Sequence, residues 1–114
     1  MSTSATVAAD PDASSSIEVH EIVTFQFKAE VAYDEQVDTM RRLDGFVAKL
    51  PGFRVREYFY SAADNRWVDH IAWADESAAR AAMQIMSNPD AAVLFGRMEP
   101  STVALSHYHR VPPA

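Results

Sequence analysis

The spacing of apolar residues changes along this chain in a fixed order: two, then three to four, then two twice over, then three to four, then two. In "IEVHEIVTFQFK" (17–28), Val19, Val23, Phe25 and Phe27 recur at two-residue spacing among β-branched and aromatic neighbours, the pattern of a strand with one apolar face. Asp34 then supplies an N-cap, and Val37, Met40, Leu43, Val47 and Leu50 follow at three- and four-residue intervals, as a helix burying one stripe requires. "PG" at 51–52 ends it, because proline cannot continue the hydrogen-bond ladder and disfavours helical geometry just before itself. Gly45 inside this helix costs about 1 kcal/mol against alanine and is expected to mark a close approach to the sheet.

"FRVREYFYS" (53–61) and "WVDHIAWA" (67–74) read as two further strands joined by "AADNR", whose Asp and Asn supply turn chemistry. Asp75 caps a second helix with a stripe of Ala79, Ala82, Met83 and Met86, small enough to lie close against a sheet. "NPD" at 88–90 breaks it, "AAVLFGRM" is a short helical piece, Pro100 stops that, and "STVALSHYH" (101–109) is the fourth strand. The order βαββαβ, with right-handed connections, predicts a ferredoxin-like α+β fold: a four-stranded antiparallel sheet ordered 4-1-3-2 with two helices on one face. All strands carry aromatic or aliphatic residues at both parities, so the uncovered face is expected to pair sheet against sheet in a homodimer.

At 114 residues and 48% hydrophobic content the chain suits one domain, expected at 17–111. The stretch "MSTSATVAADPDASSS" (1–16) reads as a disordered tail without the features of a secretory signal, and 112–114 as a short C-terminal tail. A net charge of -6 argues against nucleic acid and against an anionic membrane surface. The arginines and tyrosines alternating at 54, 56, 58 and 60 invite comparison with RNA-recognition modules, but the acidic residue in "WVDHIAWA" and the net charge count against it. No apolar run is long enough for a membrane span, and the protein is read as cytoplasmic. There is no cysteine, so disulfides, thiolate catalysis and zinc–thiolate sites are unavailable.

The set "EIVTF" (21–25), "PGF" (51–53), "RWVD" (66–69), "WAD" (73–75) before an alanine-rich helix, and "EPSTVALSHYHRV" (99–111) resembles the dimeric α+β barrel superfamily that includes the antibiotic biosynthesis monooxygenase-like proteins. The resemblance covers about residues 17 to 111. It implies a dimeric α+β barrel with a small-molecule pocket, in a superfamily holding cofactor-independent monooxygenases, heme-degrading enzymes, dismutases, isomerising enzymes and stress-response proteins. Trp73 sits where monooxygenases and heme-degrading members tend to carry a tryptophan. The heme-degrading members have a histidine on the second helix, whereas Glu76 to Asn88 holds none, so heme is not expected.

In the 4-1-3-2 order, the start of strand one (His20, Glu21) lies near the ends of strand three (Trp73) and strand four (His107, His109). Alternation puts Trp67, Asp69, Ile71 and Trp73 on one face of strand three and Val68, His70, Ala72 and Ala74 on the other. The alanines are expected to face the helices, leaving the tryptophan face to line the barrel cavity. His107 is the candidate base, with Glu21 or Asp69 orienting it, because a carboxylate beside an imidazole keeps it a proton-transfer group near neutral pH. Glu21 and His107 can equally be a structural buried pair. Trp73, Trp67, Arg56 and Tyr58 are candidate substrate-binding residues; Arg56 could hold an anionic or enolate group or make an ion pair. His107 and His109 stand on one face at metal-bridging distance, with Glu21 or His20 as the third ligand a metal would need, but His-x-His alone is common by chance, so no metal is expected; no cofactor is expected either. The reading is a small-molecule pocket protein for a hydrophobic or aromatic ligand: a cofactor-independent monooxygenase or proton-transfer enzyme on aromatic, polyketide-like or enolisable carbonyl substrates. Its alternatives are a non-catalytic ligand-binding or stress-response dimer, and a dimer whose barrel is filled.

Overall fold

The computed structural model describes residues 17–114, with side chains except at residues 85–87; the tail expected at 1–16, and Met86 of the expected stripe, lie outside what is described. The elements are β1 (Val19–Phe25), α1 (Tyr33–Arg42), α2 (Asp44–Ala48), β2 (Phe53–Ser61), β3 (Arg66–Trp73), α3 (Glu76–Ala81), a 3₁₀ segment (Ala82–Ser87), α4 (Pro89–Arg97), a 3₁₀ turn (Pro100–Thr102) and β4 (Ala104–Tyr108). The strands form one antiparallel sheet in the order β2-β3-β1-β4, the expected order read from its other edge. All helices lie on one face.

The first helix begins earlier than Asp34: Ala32 is the N-cap, and the Glu35 carboxylate accepts from its backbone N–H at 3.1 Å. It breaks at Leu43, so the single expected helix is two. Gly45 meets nothing within 4 Å of where a Cβ would stand, which corrects the expectation that it marks a close approach. The approach is at Gly52 instead. There φ is +80°, and a Cβ would lie 2.4 Å from the Ala78 Cβ on α3, so the turn after α2 seats directly against that helix. Its carbonyl also accepts from Ala74 N–H at 2.7 Å. Asp75 and Asn88 cap α3 and α4 through their side chains.

A second correction concerns the faces. The partition of β3 is as expected, but Trp67, Asp69, Ile71 and Trp73 point at the helices, and Val68, His70 and Ala72 at the bare face. Trp67 and Trp73 join Phe25, Met40, Leu43, Val47, Leu94 and Met98 in one core. The helices are short and widely set, so bulky indoles, not alanines, are needed to fill the space beneath them. The small residues that permit close packing sit on the helix: Ala78 and Ala79 of α3.

Candidate functional site

Between sheet and helices lies a cavity of about 200 Å³. Val23 and Ile71 form its floor, Leu43 and Val47 one wall, Leu94 and Met98 another, and Met83, Phe95, Val103 and Leu105, all partly exposed, its apolar rim. Three polar side chains border it: Glu21, Arg56 and Asp69. The cavity therefore lies beneath the helices, on the tryptophan side of the sheet.

Arg56 and Asp69 are already committed to each other. Arg56 Nε donates to Asp69 Oδ1 at 3.0 Å and Nη2 to Oδ2 at 2.9 Å, while Nη1 donates to the Met40 carbonyl and to Asp44 Oδ1, each at 2.8 Å. Burial opposes the guanidinium charge, but the bonds to Asp69 and the surrounding carboxylates outweigh it and hold Arg56 above its ordinary pKa. The guanidinium also stacks 4.6 Å over the Tyr58 ring, whose hydroxyl donates to Asp44 Oδ2 at 3.0 Å. Desolvation and that bond push the Tyr58 pKa up. Of the two expected roles for Arg56, the ion pair is the one the geometry contains.

Glu21 is different. Its carboxyl borders the cavity and faces the His107 imidazole across the β1–β4 pair, with Oε1 3.7 Å from Nε2. Glu21 Oε1, His107 Nε2 and Trp73 Nε1 are buried without a hydrogen-bond partner among the described residues. Desolvation raises the Glu21 pKa above its ordinary 4.5, a rise that His107 and Trp73 only partly offset. The sequence reading thus named the trio that meets at this end of the sheet, though His107 and Trp73 stand behind Glu21 and outside the cavity lining.

The other expected residues lie elsewhere. Trp67 is at the far end of the sheet, packed among Phe27, Tyr33, Tyr58 and Tyr60, and its indole donates to Gln36 Oε1 at 2.9 Å. Neither it nor Tyr58 borders the cavity. His109 lies past the end of β4 and borders a groove with His20 and His70, so it does not join His107. Arg54 leaves the expected row, because a register shift between Phe53 and Val55 takes it out of alternation; it lies near Glu18 at 3.6 Å. Sequence reasoning missed Asp44 and the aliphatic wall from α4. The stripe Ala91, Leu94, Met98 was the signal for that wall, read only as a helical fragment.

No family model matches the sequence, nor does any curated protein. Solved structures do. SnoaB, a cofactor-independent oxygenase from Streptomyces nogalater, is 24% identical with a TM-score of 0.72, over 85% of this chain and 96% of that one. A candidate antibiotic biosynthesis monooxygenase from Bordetella bronchiseptica is 11% identical with a TM-score of 0.67, covering 83% and 98%. A conserved protein from Methanosarcina mazei is 14% identical with a TM-score of 0.66, covering 86% and 97%. At these identities the likeness is one of fold, and it matches the resemblance carried by the sequence: the chain has the ferredoxin-like α+β fold that it shares with SnoaB and the antibiotic biosynthesis monooxygenase-like structures.

Proposed function

We propose that this protein is a cofactor-independent oxygenase or proton-transfer enzyme in which Glu21 exchanges a proton with a small phenolic or enolisable substrate and His107 is its proton partner. The observation that carries the reading is a desolvated carboxyl on the wall of an apolar cavity with a half-buried imidazole 3.7 Å behind it. A carboxyl whose pKa is raised by burial is a better base than an ordinary one, and binding in an apolar pocket strengthens the interaction further. The order of the pair is the reverse of the sequence reading: Glu21 meets the substrate and His107 supports it. Asp69, satisfied by Arg56, keeps a structural part.

In an oxygenation, Glu21 takes the phenolic or α-carbonyl proton. The resulting carbanion adds dioxygen, Glu21 returns its proton to the peroxide so formed, and the hydroperoxide loses water together with the hydrogen left on that carbon, giving a carbonyl that keeps one oxygen. Without oxygen addition, the same proton returned at another carbon gives an isomer. A cavity of about 150 Å³ accepts benzene, so about 200 Å³ suits one or two rings, entering through the Met83 and Phe95 rim. SnoaB, a cofactor-independent oxygenase of the same fold, supports the oxygenase branch. The bare face, with Val55, Phe59 and Tyr108 exposed around Ile22 and Val68, is proposed to pair with a second copy.

The test is aerobic incubation of the protein with one- and two-ring phenols and enolisable ketones, followed by mass spectrometry. A product carrying one added oxygen, or an isomer, that is lost in His107→Ala and Glu21→Gln supports the reading. A second reading, a ligand-binding protein without catalysis, is favoured by the mutual commitment of Arg56 and Asp69, which leaves one polar group for a ligand. Thermal stabilisation by these compounds without product decides for it.

A further inference from the structure

The lining of the cavity is buried at its floor and open at its mouth. There Met83, Phe95, Val103 and Leu105 each keep between 40% and 47% of their surface in water. These are four of the ten large apolar side chains that stand exposed among the described residues. They come from four separate stretches of chain: the 3₁₀ segment, α4, the residue after the 3₁₀ turn, and β4. Leu105 pairs with Val23 of the cavity floor, so the mouth runs along the β4 edge on the helix side of the sheet, away from the bare face. Exposed apolar side chains gathered around one opening mark a binding surface, whereas singly scattered ones do not.

Charge sets a second limit. Arg56 is the one cation among the described lining residues, and it is answered by two hydrogen bonds to Asp69 and one to Asp44. Those two carboxylates outnumber the guanidinium even when Glu21 holds its proton, and three outnumber it when Glu21 is ionised. An anion entering the cavity would leave water to meet an excess of negative charge without a free counter-ion, which makes its burial costly. A neutral molecule meets no such penalty.

We propose that the cavity takes a neutral ligand with two unlike ends. A single hydroxyl or carbonyl oxygen is set against Glu21, and an apolar tail leaves through the mouth to cover Met83, Phe95, Val103 and Leu105. The inference rests on the reading of this cavity as the ligand site, and it narrows the substrate class. Carboxylated phenols and other anions are excluded, and a single bare ring fills part of the cavity while leaving the apolar mouth in water.

Calorimetric titration of the full chain at pH 7.5 with 4-propylphenol, 4-hexylphenol, methyl 4-hydroxybenzoate and 4-hydroxybenzoate tests both limits by binding alone, independently of turnover. A buried methylene contributes up to about fourfold in affinity, so the three added between propyl and hexyl should tighten Kd by at least about tenfold. Phe95→Ser should remove most of that gain and change the Kd of 4-propylphenol by less than about twofold. Val103→Ser serves in its place should that variant fail to fold. Tyr33→Ser, beside Trp67 at the far end of the sheet, should leave both alkylphenols unchanged. The neutral methyl ester should bind at least about tenfold more tightly than 4-hydroxybenzoate. Equal Kd values for the two alkylphenols, a gain that survives both Phe95→Ser and Val103→Ser, or 4-hydroxybenzoate binding as tightly as its ester overturns the proposal. If none of the four compounds binds, the cavity is not the ligand site and the proposal falls with that reading. If they bind as expected and no product forms, the proposal stands and only the catalytic reading falls.

Discussion

Replacing Asp69 by alanine should cost far more than replacing Asp44, although both carboxylates hold the same guanidinium. The Arg56 side chain is 3% exposed, and Asp69 accepts two of its hydrogen bonds, so Asp69→Ala leaves a buried charge with two unpaired donors and only the half-exposed Asp44 as counter-ion. Breaking such a pair from one side costs about 3–5 kcal/mol. For a domain of this size each kcal/mol lowers Tm by about 4–8 °C, which makes a drop of at least about 12 °C the expected outcome. Asp44 is 52% exposed, its share of the pair is screened by solvent, and Asp44→Ala should cost no more than about 1 kcal/mol. Replacing both buried partners, Arg56→Met with Asp69→Leu, removes the desolvation penalty along with the attraction and should fall near wild type or above it. Urea unfolding at pH 7, compared by midpoint at constant m, measures all three. An Asp69→Ala protein within about 1 kcal/mol of wild type, or a double variant as damaged as the single, refutes the reasoning.

Other outcomes follow from the same structure. Because burial raises the Glu21 pKa above 4.5, the folded state holds this proton more tightly than the unfolded chain, so its contribution to stability is lost as pH rises from that value through the folded pKa. Glu21→Gln should therefore be more stable than wild type at pH 7 and lose that advantage below about pH 4.5; a constant difference across pH contradicts this. Gly52→Ala should lose about 1–2 kcal/mol from positive φ alone, and more from the overlap with Ala78, while Gly45→Ala, helical and unobstructed, should gain about 0.5–1 kcal/mol. Thermal melts separate the two. Phe59, 57% exposed on the bare face, becomes a test of self-association: Phe59→Glu should convert a dimer to monomers in sedimentation velocity, and an unchanged sedimentation coefficient rejects that interface.

The fold was legible because period alone distinguishes the elements here. Val23, Phe25 and Phe27 cannot be helical in spacing, and Met40, Leu43 and Val47 cannot alternate as in a strand. Their order then admits few topologies. Which face of β3 the helices cover was not legible. Alternation separates Trp67, Asp69, Ile71 and Trp73 from Val68, His70 and Ala72 without saying which row is roofed, and alanine size pointed the wrong way because the small residues sit on α3. Antiparallel order was enough to bring Glu21, Trp73 and His107 to one end of the sheet, because it sets the start of β1 beside the ends of β3 and β4. The commitment of Asp69 to Arg56 was hidden, because the diagonal across the β2–β3 hairpin rests on the register that the loop fixes, which residue types alone do not give.

The central claim is that Glu21 is the desolvated, proton-exchanging carboxyl of the cavity, and a ¹³C titration of the glutamate carboxyls tests it most directly. The Glu21 resonance, assigned by its loss in Glu21→Gln, should titrate above 4.5 and shift again when a one- or two-ring phenol binds. Titration at or below 4.5, or a resonance indifferent to every ligand that stabilises the protein, contradicts the account.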